Sequence, residues 1–159
     1  MLVFFIGFMG AGKTTLGSAV AAQLGYHFVD LDKEIEQYSG KTIPELFKHH
    51  GESEFRKIEQ QVLHQSVKKF QDPPFKTTSC LIACGGGTPC YQENLAFMKK
   101  NGFVVYLEAS PEILCERLLR PSNTPRPLLP YQEPAPLLQH IRTLLNQRRP
   151  IYEAAHWRC

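Results

Sequence analysis

The chain has 159 residues, 43% of them hydrophobic and 21% charged, with a formal net charge of +3. This is the size of one domain with room for a real core, and no apolar run approaches the ~20 residues of a membrane span. The charge surplus is too small and too evenly spread to point to nucleic acid. The start, MLVFFIGFMGAGK, lacks the basic lead and small-residue cleavage site of a secretion signal. A cytoplasmic monomer with neither membrane nor nucleic-acid partners is therefore expected. The five cysteines (Cys80, Cys84, Cys90, Cys115 and Cys159) include no C-x-x-C pair. They read as reduced thiols rather than zinc ligands.

Residues 2–6 are a continuous apolar run, as in a strand covered on both faces. Residues 13–24 carry Leu16, Ala19, Val20 and Leu24 at helical spacing, and Gly25 follows as a stop. A short strand at 27–29 leads into Asp30-Leu31-Asp32 and a polar helix that ends near Gly40. Thr42 stands three residues before Glu45, the spacing of a capping box, so another short helix begins there. Residues 52–69 form a longer helix with Phe55, Ile58, Val62 and Leu63 in one apolar stripe. After a loop at 71–78, residues 80–84 read as a third buried strand that runs into Gly85-Gly86-Gly87. A helix over 93–100 stops at Gly102, a fourth strand occupies 103–107, and a helix covers about 111–119. Six of the twelve prolines lie from Arg120 to Pro136, the composition of a long loop. A last helix runs from about Leu137 to Gln147 and on toward Tyr152.

Alternating strands and helices imply an α/β protein with three layers, a parallel sheet between helices. Ligands of such folds bind beyond the carboxyl ends of the strands. The loop after the first strand, the Asp30 and Asp32 pair and the triple glycine all fall at such ends, so they should meet in one cleft.

Residues 7–14, GFMGAGKT, match G-x-x-x-x-G-K-[ST], the P-loop, in the required context between a strand and a helix. Its glycines let successive N–H groups turn toward phosphate oxygens, and the following helix adds the positive end of its dipole. Lys13 can reach the β- and γ-phosphates of ATP, and the Thr14 hydroxyl can ligate Mg²⁺. No Asp ends the third strand, so the available carboxylates are Asp30 and Asp32. At i, i+2 in extended chain they would lie on one side, one to position hydrated Mg²⁺ and the other to meet a substrate hydroxyl. Either can instead cap the helix that follows. An N-K-x-D motif is absent, which argues against a GTPase switch. These features imply a kinase for a small molecule.

The chain resembles the shikimate kinase family along nearly its whole length. GFMGAGKTT is similar to the family's P-loop, FVDLD to its strand-two acidic motif, GESEFRKIE to its G-x-x-x-F-R-x-x-E, and CGGGT to its triple-glycine motif. RPLL at Arg126 is similar to its lid, and RRPIY, from Arg148 to Tyr152, to its R-x-P-x-Y. The resemblance implies transfer from ATP to the 3-hydroxyl of shikimate, giving shikimate 3-phosphate for chorismate and aromatic amino-acid synthesis. It implies a five-stranded parallel sheet of the nucleoside monophosphate kinase type with a short last strand. A single domain, 1–159, would carry a lid at about 120–136.

On this resemblance Gly10, Ala11, Gly12, Lys13, Thr14 and Thr15 would cradle the phosphates, and Thr14 and Asp30 would hold Mg²⁺, Asp30 through water. Asp32 would bond the ring hydroxyls and serve as candidate base. Arg56 and Arg148 would bind the shikimate carboxylate, with Gly85, Gly86 and Gly87 against the ring. Arg126 would reach the transferring phosphate, and Arg117, in preference to Arg120, would cover adenine. Lys13, Asp32 and Arg126 are thus the catalytic candidates. Glu59 is the expected partner of Arg56, although Arg56 between Glu52 and Glu59 also fits a solvated ion pair. Arg148 also fits a reply to a helix dipole, and the glycines a plain turn. The family continues past R-x-P-x-Y with a strand and a helix. Residues 155–159 supply only a stub of that strand, so a reduced adenine-side wall is expected. The rival readings are a gluconate or nucleoside monophosphate kinase, and an ATP-binding module without catalysis.

Overall fold

The computed structural model describes residues 1–76, 78–120 and 133–159. Five strands, β1 (Leu2–Ile6), β2 (His27–Asp30), β3 (Cys80–Ala83), β4 (Phe103–Tyr106) and β5 (Trp157–Arg158), form one sheet in the order β2-β3-β1-β4-β5. Every pairing is parallel. The helices are α1 (Lys13–Leu24), α2 (Leu31–Ser39), α3 (Ile43–Gln71), α4 (Asn94–Asn101), α5 (Pro111–Leu119) and α6 (Pro134–Glu153), with a 3-10 turn at Thr88–Cys90.

Alternate strand residues feed two cores. Phe4, Ile6, Ile82, Val104 and Tyr106 pack with buried side chains of α2 through α6. Phe5, Leu81 and Val105 pack with Ala21 of α1 on the other face. Covered on both sides, the strands need apolar residues throughout, and this is why they read as continuous apolar runs.

Helix α1 departs from the expected stripe. Leu16 and Leu24 are 45% and 57% exposed, while Gly17 and Ala21 are buried. The helix lies so close to the sheet that a Cβ built on Gly17 would stand 2.9 Å from both Leu81 Cδ2 and Phe28 Cε2. Small residues, not large ones, make that face.

Thr42 and Glu45 form the reciprocal capping box, and Gly51 (φ 74°) interrupts the helix that follows. Phe55, Val62 and Leu63 are buried as the stripe requires. Helix α6 begins at Pro134, inside the stretch read as loop, because prolines suit a first turn, where the missing N–H has no partner to lose. Most of that loop, 121–132, lies outside the described residues. Strand β5 is two residues long and pairs with β4 at Val105 and Tyr106. Among the described residues no helix is long and apolar enough to cross a membrane.

The register sets the site. Asp30 and Phe5 both pair with Ala83, so the ends of β2, β3 and β1 stand side by side. Past them run the acidic pair, the triple glycine and the P-loop.

Candidate active site

The P-loop leaves β1 through Gly7, Gly10 and Gly12 at φ 140°, 82° and 97°, a region that side chains rarely adopt. Lys13 starts α1, yet its ammonium folds back over the loop and donates to the carbonyls of Gly7 (2.9 Å) and Phe8 (2.8 Å). Burial lowers its pKa from 10.5 to about 8, against the opposing pull of Asp32, Cys84 and Asp30. Thr14 Oγ1 donates to Asp30 Oδ2 at 2.8 Å, which ties the P-loop to the end of β2. These two hard oxygen donors suit Mg²⁺, which binds few protein groups and keeps several waters.

Asp30 and Asp32 do not share an extended segment as the spacing suggested, because the chain turns helical at Leu31. Asp30 is the N-cap of α2, and its Oδ1 accepts from the amides of Asp32 (3.1 Å) and Lys33 (3.4 Å). One carboxylate therefore both caps the helix and fixes Thr14. Asp32 sits in the first turn of α2, where its Oδ1 is 3.1 Å from the position a Cβ on Gly85 would take. Its pKa is raised from 3.8 to about 6, first by loss of water around the carboxyl, then by Asp30 and Glu59, with Lys13 opposing. The residue as a whole is still solvent-exposed.

Helix α3 supplies Arg56 and Glu59, 8% and 1% exposed. Arg56 Nη1 meets Glu59 Oε2 at 2.6 Å, and Nη2 meets Glu52 Oε1 at 3.3 Å. The other oxygen of Glu59 accepts from Thr88 Oγ1 at 2.5 Å. Fully buried Asn94 donates to the Thr88 carbonyl (2.9 Å) and accepts from Gln60 (2.9 Å). The triple glycine works as a set of seats. A Cβ on Gly87 would stand 2.5 Å from Arg56 Cζ, and one on Gly86 would stand 3.2 Å from the Met9 amide and 3.6 Å from Arg148 Nη1. Arg148, on α6, holds its guanidinium 5.9 Å from the Phe8 ring centroid. The Cys90 thiol, raised by burial, feels both Arg148 and Arg56 as opposing influences. The two arginines, Asp32 and the phosphate loop thus all border the triple glycine.

The family model for shikimate kinase matches residues 9–159. A shikimate kinase of Bacteroides fragilis is 40% identical over 155 residues, which cover 98% of this chain and 82% of the relative. The chain belongs to the shikimate kinase family. The crystal structure of the shikimate kinase from Bacteroides thetaiotaomicron superposes with a TM-score of 0.88 at 38% identity, covering 99% of this chain and 85% of that one. The Acinetobacter baumannii shikimate kinase, solved in complex with shikimate, gives 0.85 at 38% identity, covering 99% and 82%.

Arg117, the arginine expected at adenine in preference to Arg120, lies over the P-loop and donates from Nη1 to the carbonyls of Gly10 and Ala11, both at 3.2 Å. Arg120 pairs with Glu116 on the surface. Arg126 lies outside the described residues. Thr15 is exposed on the first turn of α1. The roles of Thr88, Asn94, Gln60 and the Phe8 ring escaped the sequence, although Thr88 lies in the CGGGT match and Phe8 in the P-loop. So did the contact from the Tyr152 hydroxyl to the Gly86 carbonyl at 2.5 Å, although RRPIY, the segment similar to the family's R-x-P-x-Y, contains Tyr152. Polar residues beside the triple glycine were the one available signal.

Proposed function

We propose that this chain transfers the γ-phosphoryl group of ATP to the 3-hydroxyl of shikimate, releasing shikimate 3-phosphate and ADP. One observation carries the reading: Arg56 and Arg148 converge on the triple glycine beside Lys13. Shikimate offers one carboxylate and three hydroxyls, so its site needs cations at one end and acceptors at the other. Two guanidinium forks answer the carboxylate, each charge-assisted bond contributing about 1.5–3 kcal/mol. Among the described residues no carboxylate pairs with Arg148, so its charge remains for a ligand.

The P-loop amides and Lys13 would hold the ATP phosphates, with Lys13 exchanging two carbonyls for phosphate oxygens. Thr14 and Asp30 would hold Mg²⁺, which when bound neutralises phosphate charge. Asp32, charged above about pH 6, would accept from the ring hydroxyl and take its proton as the new P–O bond forms and the bond to ADP breaks. Arg117 would face the nucleotide, and Arg126 would reach the transferring phosphate from a lid at about 120–136. In this reading residues 1–159 act as one cytoplasmic kinase domain, a monomer without nucleic-acid or membrane partners.

A coupled assay of ADP release tests the reading. Release should require both shikimate and Mg²⁺. Turnover with gluconate or a nucleoside monophosphate, and none with shikimate, would overturn it in favour of another small-molecule kinase. ATP binding without any turnover would point to a binding module.

A further inference from the structure

The two arginines are aimed by different means. Carboxylates on its own helix hold Arg56. Arg148 is bordered by the Phe8 ring, by Gly86 and by a phenol one turn further along α6, at Tyr152. Residues four apart on a helix share a face, so the Tyr152 ring and the Arg148 guanidinium approach the triple glycine together. Tyr152 is fully buried, its ring 5.1 Å from that of Tyr106, and its hydroxyl donates to the Gly86 carbonyl. On the opposite side the same loop is tied to α3 and α4 through Glu59, Thr88 and Asn94. The Tyr152 hydroxyl is thus the tie on the Arg148 side.

We infer that the Tyr152 hydroxyl is a positioning group that fixes Gly86 and the Arg148 guanidinium together, setting the gap between Arg148 and Arg56 in which a ligand carboxylate is held. A phenol suits the task better than a carboxylate would. It orients the guanidinium without neutralising it, so the ligand displaces no rival anion. Burial pushes the phenol well above its ordinary pKa, so it stays a neutral donor throughout the working range. The inference rests on the shikimate-binding reading for its ligand, and on the protein alone for its geometry.

Tyr152→Phe tests it, because the ring and its packing stay and the oxygen alone is removed. Calorimetry should show shikimate binding about tenfold weaker, as expected for one lost buried hydrogen bond and a loosened cation. ATP binding should change by less than about twofold, and the melting temperature by only a few degrees. In the ligand-free protein, the ¹⁵N spectrum of the arginine side chains should show the Arg148 Nε–H signal shifted or broadened, while that of Arg56 holds. Unchanged shikimate affinity would overturn the inference. Equal losses for both ligands would also overturn it, since they would mean a structural role alone. If shikimate does not bind even the unaltered protein, the functional reading fails instead. The Arg148 signal then decides the positioning role: unchanged refutes it, perturbed upholds it.

Discussion

Asp32→Asn should make the ligand-free protein more stable at neutral pH while removing most of its turnover. The carboxyl stands among Asp30, Glu59 and the Gly85 backbone, and its pKa is raised from 3.8 to about 6. A group raised in this way binds protons more readily in the folded chain than in the unfolded one. Stability therefore falls as pH rises from about 4 to about 6 and stays lowered above that. For a sealed group, two pH units would amount to about 3 kcal/mol. Asp32 opens to solvent, and its neutralisation also costs the attraction of Lys13, so the gain is discounted to about 1 kcal/mol. In a chain of this size that raises the melting temperature by about 2–4 °C. Thermal melts of both proteins at about pH 7 and about pH 4 test the reasoning. The gain should shrink toward zero at the lower pH, where the wild-type carboxyl is itself protonated. An Asn variant less stable at neutral pH, or a gain indifferent to pH, would refute the like-charge crowding. In the same protein kcat should fall by about a hundredfold or more with ATP affinity nearly unchanged. Intact turnover would leave Asp32 as no more than an acidic residue in a first helical turn.

Three further outcomes follow from the same geometry. The pH profile of kcat/KM should be bell-shaped, with an acid limb near 6 from Asp32 and a basic limb near 8 from Lys13. In kcat the basic limb should move upward, because bound phosphates favour the ammonium; a flat profile from about 5 to 9 would contradict both assignments. Gly87→Ala should raise the shikimate KM about tenfold and spare the ATP KM. The backbone there (φ −92°, ψ −13°) suits any residue, so only the space taken by Arg56 is at stake, and an unchanged KM would show that Arg56 yields freely. Gly17→Val should lower the melting temperature by about 3–10 °C through overpacking against Leu81 and Phe28, and an unchanged melt would refute the close approach of α1.

What the sequence disclosed depended on the kind of force involved. Strands buried on both faces had to be apolar throughout, so LVFFI, CLIA and FVVY were plain. Gly25 and Gly40 marked helix ends because both adopt positive φ there. The buried face of α1 was hidden, since Gly17 and Ala21 leave no mark in a hydrophobic pattern although they alone permit the approach to the sheet. Pro134 and Pro136 suggested loop by composition, whereas position in a first turn decided for helix. In the site, Arg56 with Glu59 was legible because partners three apart meet on any helix. Thr88 with Glu59 and Gln60 with Asn94 are 29 and 34 residues apart, and only the packed fold brings them together.

The cations of the crevice differ in how they are held, and the difference matches what each would have to do. Lys13 rests on two carbonyls, neutral partners that a phosphate can replace without separating an ion pair. Arg56 is held by carboxylates on each terminal nitrogen, yet a guanidinium has five N–H donors, so two such bonds leave part of the fork for a ligand. Glu59, almost wholly buried, holds that pairing firmly, since a buried charge left without its partner costs about 3–5 kcal/mol. Arg148 is steadied by an aromatic ring and a phenol and keeps its full charge. A ring acid entering between the two arginines would meet one cation whose direction is fixed and another whose charge is unspent. With two carboxylate-paired arginines the pocket would have little net attraction for an anion. With two unpaired ones, like-charge repulsion would drive the side chains apart before any ligand arrived. One of each gives direction and attraction together, and the triple glycine supplies the room for both.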